Sequence, residues 1–598
     1  MDRRNKTMKS SKSFMTCAIA GIISILGATG PAATPEGFAA MGKILPADNP
    51  YLVYIKKIIN EDKWEEIIRD DEKQLPVISE EEKKSGFLIF SRHYLDPVYS
   101  SSVPEPYEVT KEIRLFACKG EYEPCSFAIY ALDDLKNLRI TAGDFIDEAG
   151  NLIDKSNMDI RVVRSLPYRI GKENKYEMAP GILEKHDSTD IKKGSTAQFW
   201  ITVRIPENAV PGFYKTTLKI ENSAATQASI ITFRMRVLPI KLDEPEILYG
   251  MCYCIPSKKG MYPENIKKHF QDMSAHGMNS GWFWPSPGVE NKDGKMILDF
   301  SKTTPQRCDG TMQSLDELME NYLAAGFTKP WICGSLHTIQ FPGKLYSKEF
   351  DTALIDCLGQ LEQHAKNKNW PTFYLQYLDE PGNSESAMQR AEYYWPLIKK
   401  NFPQIKIFSD TVSQAFKRLD PWVDIRGYHG SYVTEEEIRA TEKSGDVFGF
   451  YNYSSMGRDP KWDRFRWGLY TDRINAKFNY CWVYAWPSEK DPLWNYVFCS
   501  PEGPIPTLAW EGVREGIDDI RYITTLKNLI TKARQSKRPE WIAEANNAEN
   551  ELTRISCGIP FEGVRNQETV DAMDSRTFDV YRWKIATHII KLQNIGIR

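Results

Sequence analysis

From Pro239 onward the chain repeats one rhythm, a short apolar run followed by an amphipathic stretch of helical period. That alternation commits the chain to parallel strands, because a parallel partner is reached through a crossover connection, usually a helix. Eight apolar runs follow one another: YGMCYC (249–254), NSGWFW (279–284), KPWICG (329–334), TFYLQYLD (372–379), KIFSD (406–410), DIRGYHG (424–430), VFGFYNY (447–453) and NYCWVYAW (479–486). PENIKKHFQDMSAHG, SLDELMENYLAAG, TALIDCLGQLEQHAKN and ESAMQRAEYYWPLIKKN supply helices between several of them, and Gly277 and Gly326 stand where a helix C-terminal cap is expected. Eight βα units of this length predict a (β/α)8 TIM-type barrel over residues 245–530.

At 598 residues the chain exceeds one ordinary core, so further domains are expected. Residues 86–240 change texture to short alternating runs such as CSFAIYAL, AQFWITVRIP and SIITFRMRVLP, broken by Gly, Pro and Asn. Period-two alternation of this kind predicts an antiparallel β-sandwich, with VRIPENAVPGFYKTTLKIEN resembling an immunoglobulin-like hairpin that turns at Pro211-Gly212. Residues 41–85 are charged and read as a helical lead-in, and residues 531–598 as a C-terminal helical extension. The fold class is therefore multidomain: an N-terminal antiparallel β-sandwich, a (β/α)8 barrel, then C-terminal helices. Residues 1–40 run from the basic MDRRNKTMKSSK through the apolar FMTCAIAGIISILGA to small residues, the order of a secretory signal. Export to a periplasm, cell surface or exterior is the expectation. The apolar run is shorter than the roughly 20 residues of a membrane span, and no later run is long enough.

Hydrophobic residues at 41%, charged residues at 26% and a net charge of -3 give no reason to expect nucleic-acid or anionic-membrane partners. Aromatics at 12%, with 16 Trp and 29 Tyr, suit a sugar ligand, because ring faces stack on the C–H faces of pyranoses. The eight histidines show no HxxxH or His/Cys ligand spacing, so no metal and no cofactor is expected. Cys252, Cys254, Cys333 and Cys481 lie in apolar runs as buried thiols, and Cys118 with Cys125 is left open as a pair.

A barrel of this kind keeps its active site at the C-terminal ends of its strands. The fourth run ends in Asp379-Glu380-Pro381-Gly382, an acidic pair cut off by a turn. Alternation would put Tyr374, Gln376, Leu378 and Glu380 on one face and Asp379 on the other, unless the strand end bulges or twists so that both carboxylates overlook the barrel mouth. Asn383 or Ser384 can cap the next helix, which frees the acids for chemistry. Two adjacent carboxyls disfavour double ionisation, which keeps one protonated as an acid. Around them the strand ends offer Trp284, His337, Asp410, His429, Asn452, Tyr453 and Trp486 as substrate-binding candidates, with Trp486 and Trp284 as sugar platforms. Asp410 is also the best-placed second carboxylate if the enzyme were a conventional retaining glycosidase.

The LDEP ending of the fourth barrel strand, the preceding sandwich and the helix WEGVREGIDDIRYITTL together resemble glycoside hydrolase family 123 and its relatives of unassigned function. The resemblance spans about residues 86–530. It implies an exo-acting β-N-acetylgalactosaminidase that releases terminal N-acetylhexosamine from a glycan by a retaining, substrate-assisted route, an exception to the two-carboxylate scheme. It further implies Glu380 as general acid/base, and Asp379 as the group that orients the acetamido substituent and stabilises the oxazolinium intermediate. Glu511, Arg514, Glu515 and Asp518, at i, i+3, i+4 and i+7 of that helix, read as an ion-paired docking face. Two other readings stay open: a conventional glycosidase on a non-acetylated sugar, and a glycan-binding protein without turnover.

Overall fold

The structure is a computed structural model. It describes residue 47 and residues 49–597 except 58–63, 70–72, 171–173, 186, 224–227, 254–261, 293–294, 303, 306–311, 338, 412, 453–454, 456 and 487–494. The expected export signal and Tyr453 lie outside the described residues.

The N-terminal region is built of two sheets. One runs in spatial order Glu65–Glu66, Lys175–Glu184, Met158–Arg169, Thr196–Arg204, Tyr122–Ala131, Phe87–Phe90, and the other Thr189–Ile191, Leu135–Ala142, Gly212–Glu221, Ser229–Lys241, Glu112–Lys119. The alternation seen in the sequence is the alternation of burial: Tyr214, Thr216, Leu218 and Ile220 are buried while the residues between them are exposed. One apolar cluster takes Phe127, Phe199 and Ile201 from the first sheet and Tyr214, Leu218 and Phe233 from the second. The pairing is not wholly antiparallel. Glu112–Lys119 runs parallel to Ser229–Lys241, and Glu65–Glu66 parallel to Lys175–Glu184. Both pairs join segments far apart in sequence, where a long crossover permits parallel pairing. The lead-in is correspondingly mixed: helices Pro50–Lys56 and Glu80–Ser85 flank that short edge strand.

Eight parallel strands then close into a barrel: β1 Leu248–Cys252, β2 Ser280–Phe283, β3 Trp331–Cys333, β4 Phe373–Leu375, β5 Lys406–Thr411, β6 Ile425–His429, β7 Val447–Tyr451 and β8 Phe478–Cys481. Closure is made by β8 against β1, with Leu248 opposite Phe478. Its interior holds Trp282, Ile332, Phe408, Ile425, Phe478 and Tyr480, large side chains that fill the lumen as a packed core. Following helices are α1 Ile266–Ala275, α2 Leu315–Ala324, α3 Lys348–Asn367, α4 Glu385–Asn401, α5 Ser413–Leu419, α6 Glu435–Ser444, α7 Pro460–Phe465 and α8 Leu508–Gln535, then α9 Pro539–Cys557 and α10 Arg576–Asn594. Several strands stop sooner than their apolar runs. β4 gives out at Leu375 and β8 at Cys481, so the aromatic tails beyond them become loops over the mouth.

The helix α8 is buried nearly all round, its acids included. Those charges are matched across three regions. Arg582 of α10 donates to Glu123 at 3.0 Å, Glu515 at 2.8 Å and Asp519 at 2.7 Å, and Arg464 of α7 donates to Asp519 at 2.8 Å and Asp579 at 3.1 Å. The N-terminal sheets, the barrel and the last helix thus meet in one buried ion cluster. Cys118 and Cys125 are free thiols. Among the described residues, no helix is long and apolar enough to cross a membrane.

Candidate active site

The site begins with Gln376, just past the end of β4. Its backbone N–H still reaches Cys333 O of β3 at 2.9 Å, so it is held like a strand residue, and its side chain is only 1% exposed. Two indole N–H groups, Trp282 Nε1 at 2.6 Å and Trp284 Nε1 at 2.9 Å, donate to Gln376 Oε1. Only an oxygen can take two such donors, so the amide has one orientation. Gln376 Nε2 is thereby turned to donate to Asp379 Oδ1 at 3.4 Å.

Glu380 then breaks the strand's alternation. It sits in the left-handed region at φ 40° and ψ 57°, a conformation that costs an L-residue about 1–2 kcal/mol. Neighbouring side chains no longer point to opposite faces, and both carboxyls lie close to Asp410 and Tyr451. Tyr451 Oη, at the end of β7, donates to Glu380 Oε1 at 2.7 Å, and Asn383 Nδ2 donates to Oε2 at 2.6 Å. This bond between Tyr451 and Glu380 runs from the loop after β4 to the end of β7, across the opening of the barrel. The backbone is tied down beside it: Glu380 N–H donates to Asp410 Oδ1 at 3.1 Å, and Gly382 N–H to Thr411 Oγ1 at 3.0 Å. Ser384 caps α4 through its Oγ, which accepts from Ala387 N–H at 3.2 Å.

Asp410 on β5 is 1% exposed and lies beneath the pair rather than on the rim. Burial, then the charges of Asp379 and Glu380, hold its carboxyl well above the usual carboxylate range. The Tyr451 hydroxyl is pushed up by burial and by Asp410 and Glu380, so it stays a donor. The His429 imidazole is pushed down to about 4, first by burial and then by the Arg466 guanidinium, and is neutral at physiological pH.

The remaining candidates divide. His429 is half-buried, packs edge-on to Tyr451 at 5.6 Å between ring centroids, and shares a hydrogen bond of 2.7 Å between Nδ1 and Ser431 Oγ. His337 points Nδ1 at Tyr377 O, 2.9 Å away. Trp284 is 6% exposed and packed edge-to-face on Trp282, so it belongs to the interior and not to an open platform at the rim. Trp486 is half-buried on the loop after β8, its ring 5.5 Å from that of Trp482, and its backbone N–H donates to Asn495 Oδ1. Asn452 has its side-chain oxygen engaged by Trp482 N–H at 2.7 Å, which makes it a brace of the β8 loop and leaves its amide nitrogen for other partners. Asp410 likewise differs from a rim residue, because the backbone of Glu380 covers it.

Three contributors escaped the sequence reading: Gln376, Trp282 and Tyr451. A glutamine inside an apolar run was the available signal, since a buried amide demands partners. Tyr451 gave none, because an aromatic on a barrel strand is ordinarily core. Among the described residues, no group of three or more His, Cys, Asp or Glu is arranged to hold a metal ion. Chemically, the arrangement offers one carboxyl that can give and take a proton at the mouth, and a second held as an acceptor beside it.

Comparison with known proteins follows the same direction. Residues 95–222 match the family model of the glycoside hydrolase 123 N-terminal domain. The whole fold is similar to a family 123 glycoside hydrolase from Clostridium perfringens, studied for glycolipid glycan hydrolysis, with a TM-score of 0.62 and 17% identity over 86% of this chain and 99% of that one. The resemblance to family 123 is therefore present both in the sequence of the N-terminal region and in the fold of the sheets and barrel together. Weaker similarities include a GH2 β-galacturonidase from Eisenbergiella tayi (TM-score 0.30, 11% identity, 73% of this chain and 71% of that one). An endo-β-1,4-mannanase from Thermotoga petrophila scores 0.29, with 12% identity over 46% of this chain and 76% of that one. At such scores neither bears on function. No curated protein matches the sequence.

Proposed function

We propose that this protein is an exported glycoside hydrolase that releases terminal β-linked N-acetylhexosamine, N-acetylgalactosamine above all, from glycans by a retaining, substrate-assisted mechanism. The N-terminal sheets are read as an immunoglobulin-like β-sandwich that carries the barrel. The observation behind the reading is the left-handed turn at Glu380, through which adjacent carboxyls face one barrel mouth with different partners.

In the first step the substrate's acetamido oxygen attacks C1 and the C1–O bond to the leaving group breaks. Glu380, protonated, gives its proton to the departing oxygen. Asp379 accepts the acetamido N–H and faces the positive charge that develops on the oxazolinium ring. In the second step a water attacks C1, Glu380 takes its proton, and the C1–O bond of the oxazoline opens to restore the acetamide with retained configuration. His429 is read as a partner for a sugar hydroxyl and Trp486 as a ring face for the sugar. No further carboxylate is needed as nucleophile, which suits the burial of Asp410.

The test is hydrolysis of nitrophenyl β-N-acetylgalactosaminide, β-N-acetylglucosaminide and β-galactoside. Turnover confined to the acetamido sugars and inhibited by a thiazoline analogue is expected. Equal turnover of the plain galactoside overturns the assisted mechanism, and glycan binding without turnover overturns the enzyme.

A further inference from the structure

Asp410 is the third carboxyl of the site, and the proposed reaction does not use it. Its Oδ1 accepts the Glu380 N–H at 3.1 Å, while its Oδ2 is buried with no N–H or O–H donor within reach among the described residues. The titratable groups that face it are Asp379 and Glu380 at the end of β4 and Tyr451 on β7. The Tyr451 hydroxyl proton is directed at Glu380 Oε1. The buried Asp410 carboxyl lies within hydrogen-bonding reach of the half-buried Asp379, and the two cannot meet as bare anions, since burial disfavours the Asp410 charge and the Asp379 charge disfavours it further. A proton between them satisfies both.

We infer that Asp410 is a positioning residue that shares a proton with Asp379: its neutral carboxyl donates O–H to Asp379 through Oδ2 and fixes the Glu380 backbone through Oδ1. Gln376 Nε2 and Asp410 Oδ2–H then both donate to Asp379 and hold it in place as an acceptor for the substrate's acetamido N–H. This last function rests on the substrate-assisted reading; the shared proton does not. Burial and the neighbouring acids act on the Asp410 carboxyl in the same sense.

An asparagine copies a protonated aspartic acid here, with an oxygen for Glu380 N–H and an N–H for Asp379. Asp410→Asn should therefore stay within about fivefold of wild-type kcat, whereas Asp410→Ala should lose about 100-fold, in the range found for partners that orient a reacting group. The second readout is thermal stability against pH, which does not depend on activity. The folded Asp410 is raised above its unfolded value, so the folded state binds the extra proton between them and wild-type stability falls as pH rises through that window. Asparagine does not titrate, so the Tm of Asp410→Asn minus that of the wild type should climb as pH rises above the ordinary carboxylate range. A flat difference removes the proton and overturns the inference. So does Asp410→Asn failing as badly as Asp410→Ala, which is the behaviour of a nucleophilic anion, or Asp410→Ala turning over like the wild type. If the wild type cleaves no acetamido glycoside, the functional reading fails, and the pH series still decides the proton.

Discussion

Each oxygen of Glu380 has one donor, Tyr451 on one side and Asn383 on the other, and this sets what substitutions there should do. Glu380→Gln removes the proton source and should lower kcat by about 10²–10⁴ on glycosides with poor leaving groups, with a smaller loss on dinitrophenyl glycosides that depart unaided. Asp379→Asn should be damaging whatever the leaving group, by about 100-fold or more, because it acts on the charge of the intermediate. Tyr451→Phe deletes one hydrogen bond to a carboxyl and should cost about tenfold in kcat with little change in Tm. Nitrophenyl assays with matched melting curves check all three. The two acids were legible from sequence because they end an apolar run abruptly. Their geometry was not, since the left-handed backbone at Glu380 is carried by no glycine. Tyr451 was hidden for the opposite reason: in a lone sequence it looks like an ordinary member of a barrel strand.

The eight strands were legible as elements because parallel strands buried on both faces read as apolar runs between helical patterns. Their ends were not. TFYLQYLD keeps only Phe373–Leu375 as strand, and the rest bends over the mouth to form the site. The end of β3 shows how closely these elements are fitted. A Cβ on Gly334 would fall 1.5 Å from Trp284 Cδ1. Gly334→Ala must displace that indole and, with it, a donor that fixes Gln376, so a clear loss of kcat is expected from a residue that touches no substrate. Ser384→Ala is the control on the neighbouring element. It removes the cap of α4 and should lower stability by about 1 kcal/mol in denaturant melts while leaving kcat nearly unchanged.

At the scale of the molecule, the ion cluster around Arg582 decides whether sheets, barrel and last helix behave as one unit. Arg582→Met leaves Glu123, Glu515 and Asp519 buried without that counter-charge, and a loss of about 3–5 kcal/mol in unfolding is expected. Glu121 is different. Burial pushes its carboxyl up to about 8, so it is protonated at neutral pH, and Glu121→Gln should be nearly neutral there. Because its folded value lies above the unfolded one, its contribution is present at low pH and is lost as pH rises toward 8; Glu121→Gln should remove that part of the pH dependence from the melting curves. The docking face of α8 was readable from its charge spacing, but its partners were not, because they come from both ends of the chain. That arrangement also bears on synthesis. Glu123 and Glu515 leave the ribosome before Arg582, so until that residue is made they lack the guanidinium that matches them in the folded protein, whereas Asp519 already has Arg464. Without Arg582 the contact between sheets, barrel and α10 is expected to be weak. Chains ending before residue 576 should accordingly remain open to protease where the full-length protein resists it.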